Sequence, residues 1–151
     1  MSAFVTCNLK LVDEEAIFAT LLGLGYTPRQ IERHENAQAL YGYHADQRKE
    51  CADIIVRRKF LTSASNDLGF VRQADKSYRM IVSQHDQGAL RQKHKLPGHK
   101  NFETAFAQLY GIERVKIEAS RRRWTLDLAQ DWRSQVAQGL DVHVKVSSTV
   151  W

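Results

Sequence analysis

Four short runs of apolar residues lie close together in the middle of the chain, and they constrain the fold more than any other feature. They span residues 40–43, 52–57, 68–72 and 78–82, and each is rich in aromatic or β-branched side chains. Polar turn residues separate them, which is typical of neighbouring antiparallel strands. We therefore predict an antiparallel meander, with a hairpin loop at residues 73–76.

Helical patterns flank this meander on both sides. Asp13 is predicted to cap the first helix, whose apolar stripe begins at Ile17 and whose end is marked by Gly25. Asn101 is predicted to cap a second helix, because apolar residues then recur at helical spacing as far as Ala119. Residues 84–100 have no such pattern, so we expect a loop there.

The remaining strand-like segments complete the predicted topology. They are residues 4–12, a short edge strand at 30–34 that ends in a turn at 35–36, and two closing strands at 124–128 and 141–146. The order of strand, helix, several strands, helix and strands predicts an α+β fold, with one mostly antiparallel sheet and two helices on one face. The length of 151 residues suits a single domain that spans residues 1–151.

The overall composition is that of a folded domain with a moderate positive charge. Hydrophobic residues make up 43% of the chain and charged residues 26%, which excludes disordered and low-complexity classes. The net charge of +5 favours polyanions or acidic protein surfaces as partners, although it also serves solubility.

The cysteines and the apolar segments bear on location. Cys7 and Cys51 both lie in strand-like runs, so we expect them to be small core residues in a reducing compartment. We find neither a leader-like N-terminus nor an apolar run of about 18 residues. We therefore expect a cytoplasmic protein with no membrane partner.

Basic residues are concentrated in the second half of the chain. Residues 89–123 contain nine Lys or Arg against three Glu, a difference of 9 − 3 = +6 that exceeds the excess of +5 in the whole chain. If the loop before the second helix and the arginines after it lie on one face, they form a polyanion-binding surface on which Trp124 and His94 are available for stacking. The alternative is a set of solvated cations that complement the negative end of the helix. The candidate residues for binding nucleic acid or a partner are Arg91, Lys93, Lys95, Lys100, Arg121, Arg122, Arg123 and Trp124.

Signatures of catalysis and of metal binding are missing from the sequence. It has no glycine-rich phosphate loop, no Cys-x-x-Cys pair and no His-Glu-x-x-His motif. We therefore predict no catalytic residues, no metal ligands and no cofactor. An enzyme would require His85, Asp86, Asp53 or Asp67 to converge in a pocket, which nothing in the sequence predicts.

Several short motifs carry a family resemblance. They are MSAF at residues 1–4, LGLGY at 22–26, GY at 42–43, ADIIVR at 52–57 and DLGFVR at 67–72. In this order they resemble an uncharacterised protein family encoded in algal plastid genomes, cyanobacteria, other bacteria and some phages. The resemblance covers nearly the whole chain and implies a ferredoxin-like α+β fold. That family has no established activity, so it implies no catalytic residue.

The same resemblance implies an accessory or adaptor role, because members of the family often neighbour genes for AAA-type ATPases. The chain departs from the family pattern at residues 84–100, where relatives tend to carry tryptophans and this sequence has basic and histidine residues. A changed segment on a kept scaffold indicates a changed partner.

Two functional hypotheses follow. The leading one is a non-enzymatic binding module that engages nucleic acid, or a nucleic-acid-handling complex, through the basic surface of the C-terminal half. The alternative is a protein–protein adaptor or inhibitor, such as a phage-encoded protein, that binds an acidic surface on a host ATPase or defence complex. The first predicts direct polyanion binding with a steep salt dependence. The second predicts a protein partner that is retained after nuclease treatment.

Overall fold

The computed structural model describes residues 4–6 and 10–148 and has the predicted α+β architecture. It is one compact domain, consistent with a ferredoxin-like arrangement of helices on an antiparallel sheet. The elements in chain order are β1 (Phe4–Thr6), α1 (Glu14–Gly23), β2 (Ile31–Tyr41), β3 (Gln47–Val56), a 3-10 turn (Arg58–Phe60), β4 (Leu68–Arg72), β5 (Tyr78–Ser83), α2 (Gln84–Lys93), α3 (Phe102–Arg121), β6 (Thr125–Leu128), α4 (Trp132–Ala137) and β7 (Val144–Ser147).

The main sheet has five antiparallel strands in the order β1-β5-β4-β3-β2. Ile54 pairs with Phe70, and Phe70 pairs with Met80, so these three side chains share one face of the sheet. The helices cover that face, where the Phe70 and Phe106 ring centroids are 5.2 Å apart. The main core therefore lies between the sheet and α1, α2 and α3.

The ends of α1 follow the sequence prediction. The Asp13 carboxylate accepts a hydrogen bond from the Glu15 amide at 2.9 Å, which satisfies one free donor of the first turn. At the other end, Gly25 has a φ of 104°, and the Tyr26 amide donates to the Leu21 carbonyl oxygen at 3.2 Å. A glycine adopts this backbone conformation at little cost, so it ends the helix.

The prediction of a loop over residues 84–100 is wrong for its first part, which forms α2. Ser83 ends β5 and caps α2, because its Oγ accepts a hydrogen bond from the Asp86 amide at 3.0 Å. Leu90 is fully buried, while most other residues of α2 are polar. A stripe with a single large apolar side chain is too weak a periodic signal to predict a helix.

The predicted turn at residues 35–36 is also wrong, since β2 continues through them. Arg33 pairs with Ile54, whereas Gln38 pairs with Ala52. Five positions on β2 (38 − 33) thus oppose two on β3 (54 − 52), so β2 carries three extra residues in a bulge. Residues 30–34 were predicted to be an edge strand, and β2 does lie at the edge of the sheet.

Beyond this bulge, residues of the β2–β3 hairpin pack on the second face of the sheet. Leu40, Ala52, Ile55 and Ile81 form a smaller buried cluster there. A Cβ atom at Gly69 would lie 2.7 Å from the Ala52 Cβ atom, so only a glycine allows this close approach. Both faces of the sheet are therefore covered around β4.

The two closing strands form a separate sheet. β6 pairs with β7 in an antiparallel ladder, and together with α4 they pack against α3. Leu109, Ile112 and Val136 form the core of this contact. The closing strand predicted at residues 124–128 is confirmed as β6, whereas the one predicted at 141–146 is strand only from residue 144, where β7 begins. The two strands are connected through α4 and lie beside the last turns of α3.

The predicted core position of Cys51 is wrong, because this residue is exposed on β3. It lies in the first half of the strand, where the hairpin extends beyond the main core. Cys7 lies outside the described residues. None of the helices in residues 10–148 is both long and apolar enough to span a bilayer.

Candidate nucleic-acid interface

The predicted basic residues lie at the two ends of α3. Arg91 lies on the last turn of α2, and Lys95 and Lys100 lie between α2 and α3. Arg121 is the last residue of α3, and residues 122–124 follow it directly. The helix has 20 residues, and at a rise of about 1.5 Å per residue its length is about 30 Å. The two groups of residues are therefore separated by the length of the helix, and they have to be considered as two surfaces.

Lys93 and His94 form contacts within the protein. The Lys93 ammonium donates a hydrogen bond to the Phe60 carbonyl oxygen at 2.7 Å, and burial lowers the pKa of Lys93. His94 shares a hydrogen bond of 2.8 Å with the Tyr26 hydroxyl and packs against the Phe102 ring. The expectation that His94 is available for stacking on a ligand is therefore wrong.

The surface before α3 is small. Arg91 and Lys95 line a depression of about 360 Å³ together with Pro97. The Arg91 guanidinium donates to the His99 carbonyl oxygen at 3.3 Å, which fixes it against the loop. Lys100 is exposed beside this loop. Two cations at the depression and one nearby form a shallow basic surface with no aromatic side chain in the lining.

The surface at the end of α3 combines cations with an exposed tryptophan. Arg121 forms ion pairs with Asp13 at 3.3 Å and Glu118 at 3.0 Å. Arg122 pairs with Glu118 at 3.5 Å, and its guanidinium carbon lies 4.9 Å from the Trp124 ring centroid. Arg123 is exposed and has a φ of 55°. Of the residues predicted here from the sequence, Arg122 and Trp124 are therefore in contact with each other.

A groove of about 600 Å³ runs beside this cluster, between α3 and the two-stranded β6–β7 sheet. Its lining residues are Tyr110, Gly111, Arg114, Val115, Glu118, Ala119, Arg122, Trp124 and Val146. Tyr110 is held in place because its hydroxyl accepts hydrogen bonds from the Val12 and Asp13 amides at 2.9 and 3.0 Å. These bonds also join α3 to the start of α1.

Arg114 belongs to the basic segment 89–123 but is not among the candidate residues predicted from the sequence, and the structure places it in this groove. It is exposed, and within residues 10–148 it forms no ion pair. Arg114, Glu118 and Arg122 are four residues apart and therefore lie in one stripe on the helix surface. The sequence spacing of four residues thus indicates that these side chains are neighbours on the helix surface. The stripe has two arginines and one glutamate, so the wall of the groove has a net charge of +1.

The groove continues towards the middle of α3 as an apolar depression. This depression, of about 320 Å³, shares Gly111 and Val115 with the groove and adds Val142 and Val144 from the other side. The whole surface therefore has a basic, aromatic end and an apolar end.

Two carboxylates named in the sequence analysis, Asp53 and Asp86, form hydrogen bonds within the fold. The Asp53 carboxylate accepts from the Arg72 amide at 2.6 Å, and Asp86 is buried in contact with Ser83. His85 is exposed. Over residues 4–6 and 10–148, no group of three or more His, Cys, Asp or Glu side chains is placed to hold a metal ion.

Comparison with known proteins gives one match. Residues 23–138 match the model of a family described as a protein of unknown function, DUF1257, which is 116 of the 151 residues. The matched region runs from the end of α1 to the end of α4. No curated protein and no solved structure matches the chain.

Proposed function

We propose that this chain, which belongs to the DUF1257 family, is a non-enzymatic module that binds nucleic acid through the C-terminal end of α3. The observation that carries this proposal is the groove beside α3, where Arg114 and Arg122 lie on one wall and Trp124 is exposed. The exposed, free Cys51 thiol is consistent with a reducing compartment, and we propose that the protein acts in the cytoplasm.

The groove offers the two contacts that a sequence-tolerant nucleic-acid interface needs. Arginine side chains bind phosphate oxygens in a forked geometry, and Arg114 forms no ion pair within residues 10–148. Trp124 offers a face for stacking a base, with Arg122 held against its ring. Since no base-reading motif is present, phosphate contacts dominate the affinity, and salt weakens it.

The test is a fluorescence anisotropy titration of labelled DNA and RNA with the wild-type chain and an Arg114→Ala/Arg122→Ala variant. Loss of two phosphate contacts lowers the slope of log K against log salt by about 1.8 for duplex DNA. Arg29→Ala is the matched control, because it removes an exposed arginine that follows the C-terminal end of α1, whereas the groove lies at the start of α1. An unchanged slope in the double variant excludes the groove as the phosphate site.

The apolar end of the groove favours a second candidate, a protein–protein adaptor. Tyr, Trp and Arg are the residues that most often dominate protein interfaces, and Val142 and Val144 extend the apolar surface beside them. The partner would present an acidic surface to Arg114. Its class would be a host ATPase or a defence complex, and this chain would be an adaptor or a phage-encoded inhibitor of it. A defined partner that is captured after nuclease treatment and is lost in Val144→Asp favours this candidate.

A further inference from the structure

We infer that the turn of the β2–β3 hairpin is a stacking site for single-stranded nucleic acid, formed by Tyr41 and Tyr43 beside Arg58 and Lys59. This inference rests on the proposed function, because it specifies which form of nucleic acid the module prefers. It concerns a surface that is separate from the groove beside α3 and is built from different elements.

The two tyrosines are among the large side chains that the protein leaves exposed. Tyr41 at the end of β2 is 38% exposed and Tyr43 in the turn is 45% exposed. The Tyr43 ring lies beside the His44 ring, with a distance of 4.6 Å between centroids. Three ring-bearing residues are therefore within four positions of the chain and accessible to a ligand.

Buried polar side chains hold this aromatic turn in place. The Tyr41 amide donates to the Asp67 carboxylate at 2.8 Å, and the Tyr43 amide donates to the Asn66 side-chain oxygen at 2.8 Å. Asn66 and Asp67 are each only 1% exposed. The backbone amide of Asn66 in turn donates to the buried Asp86 carboxylate at 2.9 Å. Because the backbone under both rings is already fixed, stacking a base there costs the protein little conformational entropy.

A basic cleft of about 330 Å³ lies next to the tyrosines. Its lining residues are Tyr41, Ala45, Arg57, Arg58, Lys59 and Asp67. The Arg57 guanidinium is neutralised, because it contacts the Glu32 carboxylate at 2.8 and 3.0 Å and the Asp67 carboxylate at 2.9 Å. Arg58 and Lys59 form no ion pair in the region from residue 10 to residue 148. These two cations are therefore available for phosphate groups.

Exposed rings beside free cations suit an unpaired strand more than a duplex. The faces of bases are accessible in a single strand, whereas in a duplex they are covered by their neighbours. Phosphate contacts alone, as at Arg58 and Lys59, do not distinguish the two forms. Tyr41 and Tyr43 therefore predict a preference for single strands.

The test compares a labelled single-stranded oligothymidylate with a duplex of the same length in anisotropy titrations. Tyr43→Ala is expected to weaken single-strand binding about tenfold, since loss of one stacking contact has an effect of this order. Tyr43→Phe keeps the ring and is expected to bind as the wild type does. The affinity for the duplex is expected to change little in both tyrosine variants. Lys59→Ala is expected to lower the affinity for the single strand and for the duplex.

The outcomes separate this inference from the proposed function. If Tyr43→Ala binds the single strand like the wild type while Arg114→Ala/Arg122→Ala binds it weakly, the hairpin site is refuted and the groove stands. If the wild-type chain binds neither ligand at low salt, the proposed function fails and this inference fails with it. If Tyr43→Ala instead loses a nuclease-resistant protein partner and keeps its affinity for the single strand, the tyrosines are a protein contact and the inference is wrong.

Discussion

Substitution Asp67→Asn tests the buried network that fixes the hairpin turn. One oxygen of this carboxylate accepts from the Arg58 amide at 2.7 Å, and the other accepts from the Tyr41 amide at 2.8 Å and from the Arg57 guanidinium at 2.9 Å. The side chain is 1% exposed. Asparagine has nearly the same shape but only one acceptor oxygen, and its NH₂ group has to face at least one donor.

The expected cost follows from these contacts. A hydrogen bond to a charged group contributes about 1.5–3 kcal/mol, and a buried donor left without a partner adds to the loss. Breaking a buried ion pair costs about 3–5 kcal/mol, but Arg57 keeps its contact with Glu32. We therefore expect Asp67→Asn to lower the free energy of unfolding by about 3 kcal/mol.

Urea denaturation followed by circular dichroism measures this change in the free energy of unfolding. In a thermal scan, the expected fall in Tm is about 6–12 °C for a chain of this size. Asp141→Asn is the matched control, because Asp141 is exposed and its substitution is expected to change stability by less than about 0.5 kcal/mol. A loss of less than about 1 kcal/mol in Asp67→Asn would refute the argument that this carboxylate holds the turn.

Further predictions concern backbone packing and pH. A Cβ atom at Gly98 would lie 1.8 Å from the Gln138 carbonyl carbon, so Gly98→Ala is expected to lower Tm, with a cost of at least about 2 kcal/mol. Gly88 faces open space within α2, so Gly88→Ala is expected to raise stability by about 1 kcal/mol in the same thermal scan. Burial and the nearby Lys93 lower the pKa of His94 from 6.5 to about 4. The unfolded chain therefore binds more protons between these pH values, and stability falls as the pH is lowered from about 6.5 to about 4. In His94→Gln, the free energy of unfolding measured at a series of pH values is expected to fall less steeply over this range. The difference in slope from the wild type is up to about 1.4 kcal/mol per pH unit.

The parts of the fold that local chemistry determines could be predicted from the sequence. Asp13 and Asn101 cap their helices as expected, because a cap needs only a side-chain acceptor and the following amides. The hairpin loop between β4 and β5 is likewise local, and the Lys76 amide closes it by donating to the Gln73 carbonyl oxygen at 2.9 Å.

The parts that depend on distant residues could not be predicted. β2 has a bulge, and beyond it Leu40 packs against Gly69; no pattern within β2 itself indicates the bulge. α2 buries one large apolar residue, Leu90, so its periodicity is weak. The candidate sites follow the same rule. The spacing of Arg114 and Arg122 was readable as one helix stripe. By contrast, Asp67 is a charged residue whose burial depends on three partners from two distant segments, Tyr41 on one and Arg57 and Arg58 on the other.

The central claim is that the end of α3 binds nucleic acid through phosphate contacts. The most direct test is to titrate labelled single- and double-stranded DNA and RNA with the wild-type chain at low and at physiological salt. We predict micromolar binding at low salt that weakens linearly in a plot of log K against log salt, with a smaller slope in Arg114→Ala/Arg122→Ala. Absence of binding at both salt concentrations would contradict the claim, and the groove would then have to be explained as a protein-binding surface.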